Sequence, residues 1–139
     1  MVKTSEIQKH NRVIAAEQNS GLVCVFAGAT SGIGAATLEQ LASVLHSATF
    51  YIAGRSAARF TSQRETLQNV NPDVKLVFFE GDISLLADVD AFSRLIRGSE
   101  TKVDYLYMSA GLLPLASGAQ CMPPRIKTHI PANVPKRHH

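Results

Sequence analysis

"FAGATSGIGAATLEQLA", residues 26–42, joins an apolar run to a helix-like pattern, and Gly28, Gly32 and Gly34 fall within seven residues of it. Upstream, "LVCVFA" (22–27) is short and almost wholly apolar, as a strand buried on both faces must be. Downstream, Leu38, Leu41, Ala42 and Leu45 recur at helical spacing. A strand–glycine–helix junction suits an anion. The first turn of a helix has unpaired N–H groups and partial positive charge, so it attracts phosphate. Glycine lets a pyrophosphate approach the backbone, and Gly34 lets the helix pack closely on the strand. Thr30 and Ser31 add hydroxyl donors. The plain alternative is a turn that uses glycine for its dihedrals alone, and structural context separates the two.

The pattern repeats along the chain. "ATFYIAG" (48–54), "VKLVFFEG" (74–81) and "VDYLYMSAG" (103–111) read as three further strands, the last running into a loop. Between them lie helical stretches. Ser56 caps one that runs through Phe60, Leu67 and Val70 and stops at Asn71–Pro72. Ser84 caps the next, with Leu85, Val89, Phe92, Leu95 and Ile96 as its stripe and Gly98 at its end. Residues 4–18 predict an amphipathic helix capped by Thr4 or Ser5, with Ile7, Ile14 and Ala15 on one face and Gly21 as the stop. Strand–helix alternation predicts the α/β class with a parallel sheet of about four strands.

Each predicted strand end carries small or polar residues. Arg55 follows the second strand, 21 residues after Gly34, and residues 48–60 contain no acid. In dinucleotide folds an acid near that place holds the ribose 2′-hydroxyl of NAD, whereas an Arg accommodates the 2′-phosphate of NADP. Arg55 therefore points to NADP(H) over NAD(H), unless it is an ordinary solvated Arg. Asp82 ends the third strand, where it either accepts from an adenine amino group or belongs to the turn that Ser84 caps. Ser109, Ala110 and Gly111 are small enough to let the backbone approach a ligand.

Composition bounds the rest. Hydrophobic residues make up 45% of the 139 and charged residues 18%, the balance of one soluble domain. No apolar stretch approaches the roughly 18–20 residues of a membrane span, and the N-terminus has no secretory core. Cys24 and Cys121 form neither a bridge framework nor a metal-ligand set. Cys24 is expected to be a buried, inert thiol, and the cytoplasm is the expected compartment. The net charge of +3 comes from the tail: all 11 acids precede residue 112, so nucleic acid is not an expected partner. Residues 112–139 hold five of the six prolines and no apolar periodicity, which predicts an irregular or disordered tail.

Gly28-Ala-Thr-Ser-Gly32-Ile-Gly34, Arg55, Asp82-Ile83 and Ser109-Ala110-Gly111 together resemble the N-terminal half of a short-chain dehydrogenase/reductase, over residues 20–111. The opening residues and "MSAG" resemble more narrowly the reductases of fungal secondary-metabolite gene clusters. The resemblance implies a partial, doubly wound Rossmann-type sheet in the spatial order 3-2-1-4. It also implies an NADP(H) site made by Gly28, Thr30, Ser31, Gly32, Ile33 and Gly34, by Arg55 and Ser56, by Asp82 and Ile83, and by Ser109, Ala110 and Gly111. Two positions depart from the family pattern: Ala27 stands where Thr is usual, and Met108-Ser109 where Asn-Asn is usual. The second departure removes an amide that steadies the central strand in the family.

The family's chemistry implies a Tyr acid with a Lys four residues later. Here Arg55 follows Tyr51 at that spacing, Ser109 follows Tyr105, and Gly111 follows Tyr107. No catalytic residue and no metal ligand is therefore assigned, and the resemblance implies a truncated member. Three functions follow: an NADP(H)-binding remnant without catalysis, half of an oxidoreductase completed by another chain, or a non-enzymatic module that pairs through the open edge of the fourth strand.

Overall fold

The computed structural model describes residues 1–16 and 20–111, with side chains omitted at 14–16. The predicted helix end at 17–18, the Ile14 and Ala15 face, Cys121 and the 112–139 tail lie outside that description. Within it run α1 (Thr4–Ala16), β1 (Val23–Ala27), α2 (Gly32–Val44), β2 (Thr49–Gly54), α3 (Ala57–Val70), β3 (Lys75–Glu80), α4 (Leu86–Ser99) and β4 (Tyr105–Met108). The four strands form one parallel sheet in the order β3-β2-β1-β4. The α/β class and the 3-2-1-4 order are as predicted.

Pleating sends alternate residues of each strand to opposite faces. Cys24, Phe26, Phe50 and Ile52 meet Leu38, Ala42, Phe60 and Leu67 in one core. Val23, Val25, Tyr51 and Ala53 meet Phe92 in the other, with Ile96 beside it. Burial and the nearby Asp104 charge push the Cys24 thiol up to about 11, so the expected inert thiol is what the fold makes. Tyr51 is buried, and its hydroxyl donates to Glu100 Oε1 at 2.8 Å, which ties β2 to the end of α4. Asn71 does more than stop α3. Its side-chain amide donates to the Ala42 and Leu45 carbonyls, 3.0 and 2.8 Å away, and so satisfies the end of α2.

Four local expectations are corrected. Thr4 and Ser5 lie inside α1 and not at its cap, because the helical bonds start at the Lys3 carbonyl, which accepts from Glu6 and Ile7. Ile7 is exposed, so it buries no face. Ser84 does not cap α4: the Asp82 carboxylate captures both its N–H and its hydroxyl, and Leu85 takes the cap position with no side-chain bond. The helix also runs through Gly98 to Ser99, since Gly98 still fits helical backbone.

β4 is thinly covered, as expected of its open edge, except that Tyr105 was expected to pack. Tyr105, Leu106 and Met108 are 51%, 62% and 74% exposed, so Tyr105 does not pack as a strand residue should. Tyr107 does pack, with its ring centroid 5.4 Å from that of Phe26. The strand is fastened at both ends. Asp104 N–H donates to Val23 O at 2.8 Å while Val23 N–H donates to Asp104 Oδ2 at 2.9 Å. At the far end Ser109 N–H donates to Ala27 O at 2.9 Å. The Lys102 ammonium and the Val23 N–H hold the Asp104 carboxyl below its ordinary value of 3.8. Stability from a carboxyl held low is complete above that ordinary value and is lost as pH falls through the lowered one. Asp104→Asn should therefore lower Tm near neutral pH, and the gap to the unaltered chain should close as the pH of the melt falls below 3.8.

Candidate functional site

Parallel strands bring their carboxyl ends to one edge, and chain direction across the sheet reverses between β1 and β4. Ligands of open α/β sheets occupy the crevice at such a switch point. Here that crevice is bordered by the 28–31 loop, the ends of β2 and β3, and residues 109–111.

The loop's glycines have three different causes. Gly28 has φ +91, and a Cβ there would sit 2.5 Å from the Ala110 backbone nitrogen. It is needed for β4 to approach the loop. Gly34 is buried in the first turn of α2, where a Cβ would strike the Gly28 carbonyl and sit 2.9 Å from Ala29 Cα. This is the close helix–strand packing predicted. Gly32 has φ +60, and nothing lies within 4 Å of its missing Cβ. Open space at a left-handed position is what an approaching anion requires.

α2 runs 13 residues from this point with no acid in its first turn, so its positive end is uncompensated. Ser31 is its cap residue but makes no side-chain cap bond, which leaves its hydroxyl unused. Thr30 is exposed beside it. Ile33 is 80% exposed. It borders an apolar groove of about 530 Å³ whose lining includes Leu41, Val44 and Tyr105. Its walls carry no charged side chain, so it does not suit an anion.

Arg55 and Ser56, at the end of β2, form a smaller cavity of about 60 Å³ with Thr30 and Arg59. Ser56 is the cap of α3, accepting from Arg59 N–H at 3.4 Å. Neither guanidinium joins an ion pair among the described residues. The sequence reading missed Arg59, although its spacing of four from Arg55 at a helix start was the available signal. It also missed Glu80, whose Oε2 accepts from Ala57 N–H at 3.3 Å and puts one carboxylate at the same helix start.

Asp82 belongs to the turn: its Oδ1 takes both Ser84 donors, and these bonds hold its carboxyl below the ordinary value. Oδ2 is engaged by neither. Ile83 is partly buried against the Tyr51 and Phe92 core and so faces inward. Ser109 is at the crevice with Ala110 and Gly111, all exposed. Its hydroxyl donates to the Gly28 carbonyl at 3.0 Å, steadying the end of β4 where the expected amide is missing. Gln63 was also missed. From α3, its Nε2 donates to the Ala29 carbonyl at 3.0 Å.

Residues 22–134 match the family model of the short chain dehydrogenases. The chain belongs to that family. Among curated short-chain dehydrogenases and oxidoreductases it is 41% identical over 115 residues to the oxidoreductase lepF of Aspergillus flavus, covering 82% of this chain and 32% of that protein. It is 36% identical to the oxidoreductase andH of Emericella variicolor, over 80% of this chain and 33% of that one. The chain thus spans about a third of the length of these relatives. L-sorbose reductase from Gluconobacter frateurii, solved with NADPH and L-sorbose, superposes with a TM-score of 0.59 at 29% identity, over 67% of this chain and 34% of that one. A metagenomic short-chain oxidoreductase in complex with NADP, 24% identical with a TM-score of 0.61, shares the fold. Among the described residues no helix is long and apolar enough to cross a membrane.

The glycines should separate by experiment. Gly28→Ala should lower Tm and shift the amide resonances of β4, because the added carbon meets backbone. Gly32→Ala should cost only about 1–2 kcal/mol, the left-handed strain of a non-glycine residue, and leave β4 undisturbed while dinucleotide binding weakens. Equal effects on β4 from the two would contradict the separate causes assigned here.

Proposed function

We propose that this short-chain dehydrogenase binds NADP(H) in preference to NAD(H), with the pyrophosphate at the start of α2 and the 2′-phosphate between Arg55 and Arg59. The observation that carries this is the cavity of Thr30, Arg55, Ser56 and Arg59, with both guanidinium groups out of ion pairs among the described residues. NADPH in the related sorbose reductase supports it. The fungal oxidoreductases among its relatives support a place in fungal metabolism, and we extend this to a cytoplasmic role in secondary-metabolite chemistry.

A charge-assisted hydrogen bond contributes about 1.5–3 kcal/mol, which converts to a preference of roughly 10- to 150-fold. Titration of both cofactors should show it, and Arg55→Ala should remove most of it. Glu80→Gln should increase the preference, since it removes a negative charge from the start of α3. Equal affinity for NADPH and NADPH's unphosphorylated counterpart in the unaltered chain would refute the assignment.

Hydride transfer to a carbonyl leaves an alkoxide-like oxygen that needs a proton. A positioned acid contributes typically 10²–10⁴-fold, and these 139 residues contain no Tyr-x-x-x-Lys. Tyr51 is sealed in the core against Glu100. Alone, the chain is a cofactor-binding half without carbonyl reduction. A second reading is favoured by β4, whose exposed edge offers a strand-pairing surface. In it, another polypeptide completes the sheet and supplies the acid. Single-turnover assays with NADPH over a panel of ketones should give only background for the chain alone. Turnover on adding the C-terminal two-thirds of a relative would select the second reading.

A further inference from the structure

A trans peptide points its C=O and its N–H in opposite directions. Whatever holds a loop carbonyl therefore aims the next residue's N–H. Two successive carbonyls of the glycine loop are held from different elements. Ser109 Oγ donates to Gly28 O at 3.0 Å from the end of β4. Gln63 Nε2 donates to Ala29 O at 3.0 Å from α3. Ala29 itself is fully buried, so its carbonyl has no route to bulk water except through such a donor. With Ala29 O turned toward α3, the Thr30 N–H must face the other way. Thr30 is the loop residue that also borders the Arg55 cavity.

Gln63 is an awkward residue for this interior. Its Oε1 is buried with no hydrogen-bond partner among the described residues. A buried unpaired acceptor is unfavourable. The fold thus carries a local defect at the residue that orients the loop. Trading stability for a functional arrangement is a common reason for such a defect.

We propose that Gln63 is a positioning residue for dinucleotide binding, its amide fixing the Ala29–Thr30 peptide so that the Thr30 N–H is presented to the cofactor's pyrophosphate. This rests on the dinucleotide reading of the crevice. Gln63 does not touch the 2′-phosphate cavity, so its effect falls on the part that NADPH and NADH share.

The test compares Gln63→Met and Gln63→Leu with the unaltered chain. Neither variant can donate to Ala29 O, and both remove the orphaned acceptor. The buried Ala29 carbonyl then replaces Gln63 Oε1 as the unpaired acceptor, so Tm should change little, while affinity for NADPH and for NADH should fall by the same factor, roughly three- to tenfold for one neutral hydrogen bond. Affinity for 2′-AMP, which has no pyrophosphate, should not change. Hydrogen exchange at the Thr30 amide should be altered. Unchanged dinucleotide affinity in both variants would overturn the proposal. So would a fall in Tm with 2′-AMP and both dinucleotides weakened together, which marks a merely structural role. Failure of the unaltered chain to bind either dinucleotide would instead refute the cofactor reading itself, and this inference with it.

Discussion

Burial of β1 on both faces is the constraint on which the crevice depends. Its residues pair with β2 on one side and β4 on the other. Phe26 points into one core and Val25 into the other. A strand so enclosed cannot shift register without sending every side chain to the wrong face. That fixes where Ala27 ends and hence where the glycine loop begins. The ends of β2 and β4 are then set by hydrogen bonds to this enclosed strand. Rigidity at the centre of the sheet is what gives a short loop a defined geometry at its edge.

The strength of that enclosure is uneven. β2 is buried on both faces between β1 and β3. Among the described residues β4 has β1 on one side only, and three of its four residues are exposed. Yet β4 ends at Ser109, which contacts the loop. The crevice therefore has one wall from β2 and α3, enclosed in the sheet, and one from β4, which is paired to β1 and fastened at Asp104 and Ser109. Binding groups on the α3 side need no further polypeptide to place them.

What could be read in the sequence followed from periodicity and spacing. β1, β2 and β3 were legible as apolar runs, and their order followed once the glycine loop was matched to its family. α3 was legible at both ends because Ser56 and Asn71 act through their own backbone neighbourhood. Ser84 misled for the opposite reason. Its sequence context suits a helix cap, but the Asp82 carboxylate two residues earlier is a better acceptor and captures it. Gly28 was legible as part of the loop, but its constraint from Ala110, 82 residues away in sequence, was not. Gln63 and Glu80 escaped notice because their partners are backbone atoms of distant residues, and no local pattern marks such a bond.

Electrostatics at the crevice has the same two-part origin. The start of α2 has no acid of its own, and Arg55 and Arg59 add positive charge across the loop. Glu80 opposes them at the start of α3, and Asp82 lies close enough to feel Arg55. These carboxylates are engaged by backbone or hydroxyl donors and not by the guanidinium groups. The arginines consequently remain available to an incoming anion, while the acids keep the unliganded surface from accumulating like charge. A phosphate that reaches Arg55 and Arg59 displaces water and breaks no internal ion pair there. In the proposed site an internal pair would have to be given up before the ligand could bind, so unpaired arginines would favour affinity there at the cost of some self-repulsion in the free chain.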